Sequence, residues 1–243
     1  YKEIGKGTIL KDKDLNADNL TEISKDYGAD LIGVTSVDRL NGVVEQIREV
    51  KEGERIFDVN DKNIRFKEFN PEVTENKRKL FYPGDYLNDA KSVIILGLHY
   101  PEAAAERAKQ PPAEAVGPYV FAQYETERLL GHLGYSMVKE LNRLGFNAVY
   151  SHDLMGLGSK VGSPRGPLNA SINNTLEAVT AGIGTLTYNG SVFTEEFGLN
   201  QRFIAIVTDA DLEETELNID EKIAKYCADC QKCLEVCPAG ALI

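Results

Sequence analysis

Runs of apolar residues, separated by polar or glycine-rich stretches, divide this 243-residue chain into alternating strands and helices. Short apolar runs predict strands, and the run at residues 91–98 is apolar enough for both of its faces to be buried. Apolar residues spaced three and four positions apart predict helices between them. The predicted strands are residues 31–35, 91–98, 147–150 and 203–208, and the predicted helices are residues 16–27, 122–144 and 171–181.

The longest predicted helix, residues 122–144, carries Leu130, Leu133 and Met137 on one face and has Gly145 as its stop. Its apolar stripe favours a core-packing helix over a cofactor-binding one. The rest of the chain is less regular. Residues 41–85 predict irregular structure with short helices, residues 101–118 a loop, residues 154–167 a loop that is either a connection or a ligand cradle, and residues 209–221 an acidic linker.

Strands and helices that alternate without internal repeats predict a three-layer α/β or α+β domain. The length and the 42% hydrophobic content are sufficient for one large core and a small additional module. We therefore expect residues 1–212 to form the α/β domain and residues 213–243 to form a small C-terminal module. Because the chain begins at Tyr1 and stops at Ile243, we expect it to be a piece of a longer protein.

The net charge of −11 opposes the basic surface that non-specific nucleic-acid binding requires, although a local basic patch is compatible with it. The sequence has no apolar run of eighteen residues and no leader, so we expect no transmembrane segment and a cytoplasmic location. An exported location, with its signal removed, is the alternative.

All four cysteines lie within the last seventeen residues, at Cys227, Cys230, Cys233 and Cys237. Their spacing, C-x2-C-x2-C-x3-C-P, is that of the bacterial ferredoxin run. Zinc sites usually separate two C-x2-C pairs by a dozen residues or more, and a disulfide framework belongs to small secreted domains without a core. The spacing therefore predicts a 4Fe–4S cluster and electron transfer.

The number of clusters depends on the fourth cysteine. In two-cluster ferredoxins it binds the other cluster, so Cys227, Cys230 and Cys233 would need a partner from a second cysteine run, which this chain lacks. The alternative is a single cluster bound by all four cysteines.

A second group of motifs lies between residues 181 and 212, in the order A-G-I-G, N-G, F-T-E-E-F-G, an arginine and T-D-A-D-L. This order resembles the corrinoid-dependent iron–sulfur reductases, the family of reductive dehalogenases and epoxyqueuosine reductases, as do F-Y-P-G-D at residues 81–85 and A-K-S-V-I-I-L at residues 90–96. The resemblance covers most of residues 28–243. It implies a three-layer, nitroreductase-like corrinoid-binding domain followed by a bacterial ferredoxin-type module.

The resemblance also implies which residues contact cobalamin or another corrinoid. Glycines let a backbone approach a flat ligand closely, and an Asn-Gly pair allows a left-handed turn that exposes amide donors. The alternative is a plain helix end followed by a hairpin. The implied cofactor-binding residues are Gly182, Gly184, Asn189, Gly190, Thr194, Phe197 and Gly198.

The chain departs from the family pattern at two places. Thr187–Tyr188 stand where the family usually has Gly-Arg or Gly-Lys, and Leu168–Asn169 occupy the region of the acidic proton donor of epoxyqueuosine reductases. An amide cannot deliver a proton as a carboxylic acid does. We expect a tyrosine, Tyr124 or Tyr188, to donate the proton, with Arg202 favouring the developing phenolate.

The three histidines, His99, His132 and His152, share no metal-ligand spacing, and only His152, beside Asp153, is a candidate for chemistry. Together with the cysteine run, the resemblance implies an oxidoreductase that reduces a small organic compound, halogenated compounds included. A ferredoxin, a flavodoxin or a reductase subunit would supply its electrons. The alternatives are a non-catalytic iron–sulfur relay and an epoxyqueuosine reductase-like enzyme acting on transfer RNA.

Overall fold

The computed structural model describes residues 15–53, 78–107, 125–157, 160–163, 166–169 and 174–237, together with residues 240 and 242. In chain order these form α1 (Ala17–Asp26), β1 (Leu31–Ser36), α2 (Val37–Lys51), α3 (Pro83–Tyr86), β2 (Ser92–His99), α4 (Glu102–Arg107), α5 (Thr126–Arg143), β3 (Ala148–Ser151), β4 (Lys160–Ser163), β5 (Gly166–Asn169), α6 (Thr175–Thr180), β6 (Thr185–Leu186), β7 (Val192–Phe193), β8 (Gln201–Thr208), α7 (Glu221–Cys230) and α8 (Lys232–Val236).

The main sheet has four strands in the order β1-β2-β8-β3, and each neighbouring pair is antiparallel. Ile94 of β2 lies between Val34 of β1 and Ile206 of β8 in this register. Two hairpins, β4–β5 and β6–β7, form separate two-stranded sheets. The sheet therefore places the end of β2 beside the beginning of β8.

Hydrophobic clusters cover both faces of this sheet. Alternate residues of β2 point to opposite faces: Ile94 and Leu96 pack with residues of α1 and α5, whereas Val93 and Ile95 pack with residues of α2 and α6. All four of these side chains are fully buried. The prediction that both faces of this strand are buried is confirmed, and so is the mixed α/β class; the nitroreductase-like layering stays a prediction.

Three regions differ from the expectations. Helix α2 covers the beginning of residues 41–85, where irregular structure and short helices were expected; it begins after the Ser36 cap and buries Leu40 and Val44, which the charged residues Arg39 and Glu45 flank directly. Helix α4 lies in the expected loop at residues 101–118. Strands β4 and β5 form a hairpin in the expected loop at residues 154–167, where Pro167 is tolerated because both strands are edge strands. Residues 54–77 and 108–124 lie outside the described residues.

The acidic segment connects β8 to α7, as expected of a linker, but it is also fixed to the edge of the main sheet. The Thr215 N–H donates to the Val34 carbonyl at 2.9 Å, and the Val34 N–H donates to Thr215 Oγ1 at 2.9 Å. The Ser36 N–H donates to Glu214 Oε1 at 2.9 Å. We call residues 212–220 the strap. The domain boundary between residues 212 and 213 stays a prediction.

Each helix among the described residues is too short or too polar to cross a membrane.

Candidate functional site

The four cysteines lie around one sharp turn near the C-terminal end. Cys227 and Cys230 lie three residues apart on α7, so they share a face of that helix, while Cys233 lies on α8 and Cys237 follows it. Gln231, in the left-handed conformation with φ of 49°, joins the two helices. All four cysteines carry thiols rather than disulfides, and each is partly exposed.

The donors fit an iron–sulfur cluster by their chemistry, because such clusters are held by cysteine thiolates. In the described part of the chain, no three His, Cys, Asp or Glu side chains come close enough together to hold a metal ion. The fit therefore rests on thiol type, spacing and accessibility. The four-cysteine ligand set stays a prediction.

The two glycines of the A-G-I-G motif make the close backbone approaches expected of them, but with the protein itself. A Cβ added to Gly182, which has a φ of +72°, would lie 2.1 Å from the Glu216 carbonyl oxygen. A Cβ added to Gly184 would lie 2.2 Å from the Phe193 carbonyl oxygen. Internal packing thus requires glycine at both positions: Gly182 packs against the strap and Gly184 against β7.

The Asn189–Gly190 pair forms the turn of the β6–β7 hairpin. Gly190 has a φ of +77°, so the left-handed conformation is present, and its N–H donates to the Thr187 carbonyl at 2.9 Å. Asn189 Oδ1 accepts from Thr187 Oγ1 at 2.6 Å and from the Ser191 N–H at 3.2 Å. This is the hairpin of the alternative interpretation. A Cβ added to Gly190 would meet nothing within 4 Å, so the turn faces open space.

A second tight loop, residues 194–198, follows this hairpin. The backbones of Thr194 and Gly198 exchange two hydrogen bonds of 2.9 Å, and Thr194 Oγ1 accepts from the Phe197 N–H at 3.2 Å. Gly198 also faces open space. The ring of Phe197 stacks on the imidazole of His99, with centroids 4.5 Å apart. The histidine beside the expected cofactor segment is therefore His99 rather than His152.

Arg202 lies near the beginning of β8, opposite Leu98. Its guanidinium lies over the ring of Tyr100, 5.7 Å from the centroid. Tyr188 is 53% exposed on the β6–β7 hairpin, and Tyr124 lies outside the described residues. Sequence reasoning missed Tyr100; the signal was its position directly after β2, the strand that pairs with β8.

Sequence reasoning also missed a buried polar group on α6. Glu177 is 1% exposed, and its Oε1 accepts from the Met155 N–H at 3.1 Å. Asn174 is left-handed with φ of 58°, accepts from the Leu154 N–H at 3.0 Å and donates to the Ser151 carbonyl at 3.0 Å. These two side chains hold residues 151–155 against α6. Burial raises the pKa of Glu177 to about 7.

The raised pKa of Glu177 predicts that the stability of the chain depends on pH. Between pH 4.5, which is the ordinary pKa of a glutamate, and pH 7, folded Glu177 keeps a proton that the unfolded chain has released. Its contribution to stability is therefore present at low pH and is lost as the pH rises through 7, by about 3 kcal/mol in total. In urea unfolding, the stability of Glu177→Gln relative to the original chain should rise by this amount between pH 4.5 and pH 8. A pH-independent difference would contradict the assignment.

The structure brings the glycine-rich segment and the cysteine-bearing helix together through Thr185. Thr185 Oγ1 accepts from the Asp220 N–H at 2.8 Å and donates to the Asn218 carbonyl at 3.4 Å. Asp220 caps α7 by accepting from the Lys222 N–H at 2.8 Å. The strap contact at Gly182 lies close by in the chain. The beginning of the predicted cluster helix is thus fixed against the predicted cofactor segment.

Comparisons with curated proteins find relatives of two kinds. The epoxyqueuosine reductase of Bacillus subtilis (strain 168) is 24% identical over 227 residues, which cover 93% of this chain and 51% of the relative. The tetrachloroethene reductive dehalogenase of Sulfurospirillum multivorans is 25% identical over 219 residues, covering 88% of this chain and 38% of the relative. The chain thus spans about half or less of the length of these relatives. No protein-family model matches it.

Solved structures of both kinds share the fold. An epoxyqueuosine reductase in complex with a tRNA-Tyr epoxyqueuosine-modified stem loop superposes with a TM-score of 0.56 at 20% identity, covering 93% of this chain and 52% of the other. A reductive dehalogenase structure that suggests a mechanism for B12-dependent dehalogenation gives a TM-score of 0.56 at 16% identity, covering 98% and 27%. The resemblance inferred from the motifs is confirmed: the homologues of this chain are epoxyqueuosine reductases and reductive dehalogenases.

Proposed function

We propose that this chain is part of a corrinoid-dependent oxidoreductase that uses a 4Fe–4S cluster to reduce a small organic compound, halogenated compounds included. The observation that carries the proposal is the fixed contact between the glycine-rich segment and the beginning of the cysteine-bearing helix. Homology to two groups of reductases supports it. When bound, the cluster supplies single electrons and the corrinoid supplies cobalt-centred reduction.

The cluster would be held by three or four of the C-terminal cysteines. A corrinoid needs space beside the backbone, so the glycines that face open space are better candidates for contacting it than the glycines packed against the chain. Gly190 and Gly198 face open space, whereas Gly182 and Gly184 are closed by the chain's own carbonyl groups. We therefore place the corrinoid contacts at the 189–190 turn and the 194–198 loop, whereas Gly182 and Gly184 serve the packing of the chain against the strap and β7.

The charge of the chain favours a small substrate. A transfer-RNA substrate needs a basic rim that neutralises phosphates, and the net charge of −11 opposes one. The acidic donor region of epoxyqueuosine reductases is occupied by Leu168–Asn169, which cannot deliver a proton. Transfer RNA is the second candidate, because a structural neighbour of the same fold is solved with a tRNA stem loop.

Proton delivery is proposed to come from a tyrosine. Tyr124 and Tyr188 are the candidates named by the sequence, and Tyr100 joins them because the Arg202 guanidinium lies over its ring. Tyr→Phe at the donor should lower kcat by about 100-fold or more, since general acid catalysis contributes about 10²–10⁴-fold. The other two variants serve as matched controls, and full activity in all three would exclude these three tyrosines as the donor.

The experiment that tests the function is reduction under anaerobic conditions, with dithionite or a reduced low-potential ferredoxin supplying electrons. One arm offers a chlorinated ethene or a halogenated phenol, and the other offers an epoxyqueuosine-modified tRNA stem loop. Release of halide from the halogenated compound in the first arm supports the proposal. Turnover only of the stem loop would move the substrate class to RNA, and no turnover in a cluster-loaded protein that takes up no cobalamin when it is supplied would favour the non-catalytic relay.

A further inference from the structure

Several contacts tie the strap to the layers that it crosses. Arg39, in the first turn of α2, donates from one guanidinium nitrogen to the carbonyls of Thr180 and Thr215, both at 3.3 Å. Its other terminal nitrogen pairs with the Glu214 carboxylate. The hydrogen bonds of Glu214 to Ser36 and Arg39 lower the pKa of this carboxyl group. One arginine thus joins the end of α6, α2 and the strap.

Thr185 contacts the C-terminal end of the strap, which directly precedes the cysteine-bearing helix. Its side chain is 5% exposed, and its hydroxyl accepts from Asp220 and donates to Asn218. Asp220 is the residue whose carboxylate caps α7, the helix that bears Cys227 and Cys230. One buried hydroxyl therefore fixes both the end of the strap and the beginning of the cysteine-bearing helix.

We propose that Thr185 is a positioning residue for electron transfer: its hydroxyl holds α7 against the β6–β7 hairpin and so sets the separation between the cluster and the corrinoid. This inference rests on the proposed function. With both groups bound, the cluster would give up one electron and the corrinoid would take up one electron, and the Thr185 side chain would take no chemical part in the transfer. Dithionite or a reduced ferredoxin then reduces the cluster again. Because electron transfer slows steeply with distance, a loosened α7 should slow the step while leaving the thiols in place.

The chain offers a closely matched control. Thr180 is 7% exposed, and its hydroxyl donates to the Leu176 carbonyl within α6 at 2.7 Å. Thr→Val removes a buried hydroxyl at either position with little change in volume. Only at residue 185 does this hydroxyl connect the hairpin with the strap. Thr185→Ser keeps the hydroxyl and should behave like the original chain.

The experiment measures amide hydrogen exchange and iron content in cluster-loaded protein without corrinoid, and then the single-turnover rate of cobalamin reduction. In Thr185→Val we expect exchange at residues 220–223 to be at least tenfold faster, iron content to be unchanged and cobalamin reduction to be slower. Exchange in β2 and β8 should stay slow, because these strands form the core. Thr185→Ser and Thr180→Val should match the original chain in every measurement.

Unchanged exchange at residues 220–223 in Thr185→Val, or equal acceleration in β2 and β8, would overturn the positioning role, as would a Thr185→Ser variant that behaves like Thr185→Val. If Thr185→Val does not fold, Thr185→Ala is compared with Thr185→Ser in the same way. Failure of the proposed function can be distinguished from failure of the role of Thr185. A chain that never binds cobalamin still gives the hydrogen-exchange result. Normal cobalamin reduction together with unaltered exchange in Thr185→Val refutes only the role of Thr185.

Discussion

Replacing Cys230 with alanine should remove the visible absorbance of the cluster and lower bound iron from about four atoms per cluster to near zero. Cys230 shares a face of α7 with Cys227 and precedes the left-handed turn at Gln231 that leads to Cys233. A cubane that loses one of these thiolates keeps too few ligands from this run. Lys232→Ala, an exposed position in the same segment, is the matched control and should keep its iron.

The measurement is iron and sulfide content together with the absorbance spectrum, made on protein prepared without oxygen. Cys237→Ala separates the two ligand sets left open by the sequence. Loss of iron comparable to that in Cys230→Ala indicates one cluster bound by all four cysteines, and retention of iron indicates that Cys237 serves another cluster. Full iron content in the Cys230→Ala variant would contradict the cluster assignment.

Replacing Gly182 with alanine should destabilise the chain by about 2–4 kcal/mol, and Gly190→Ala by only about 1 kcal/mol. Both glycines are left-handed, with φ of +72° and +77°, so the backbone strain of a Cβ is similar. The difference is space: the new Cβ would lie 2.1 Å from the Glu216 carbonyl oxygen at residue 182 and would meet nothing within 4 Å at residue 190. Gly182→Ala must therefore also push the strap away.

Urea unfolding of the two variants side by side checks this prediction. Equal losses of unfolding free energy would mean that the strap does not pack on Gly182. A loss in Gly182→Ala accompanied by weaker iron binding would further indicate that the strap transmits the disturbance to α7. Apart from its small loss of stability, Gly190→Ala should leave iron content unchanged and alter the contacts that the hairpin turn offers to a ligand.

The strongest periodic segments could be read directly from the sequence. Strand β2, predicted at residues 91–98, runs from Ser92 to His99, and helix α5, predicted at residues 122–144, is described from Thr126 to Arg143 and ends before the predicted stop, Gly145. Helix α2 escaped prediction because Leu40 and Val44 are its only fully buried positions among charged residues. The hydrogen bonds of the strap could not be anticipated, because side-chain oxygens of Thr215 and Glu214 replace a strand pattern there.

The candidate site was likewise predictable only in part: its local motifs could be read from the sequence, and the contacts between distant residues could not. The sequence identified the segment, with its glycines and cysteines, because each motif is local. It assigned Gly182 and Gly184 to a ligand, whereas their close neighbours are carbonyl groups of the strap and β7, which only the folded chain brings near. The same holds for Tyr100 beside Arg202 and for Thr185 beside Asp220, pairs that are 102 and 35 residues apart in the chain.

The most direct test of the proposed function is the metal content of protein prepared anaerobically and reconstituted with iron, sulfide and cobalamin. A corrinoid-dependent reductase should retain cobalt near one atom per chain after gel filtration, show a corrin absorbance band and carry iron at the cysteine run. Protein that keeps its iron but elutes repeatedly without cobalt and without a corrin band would contradict the function proposed here.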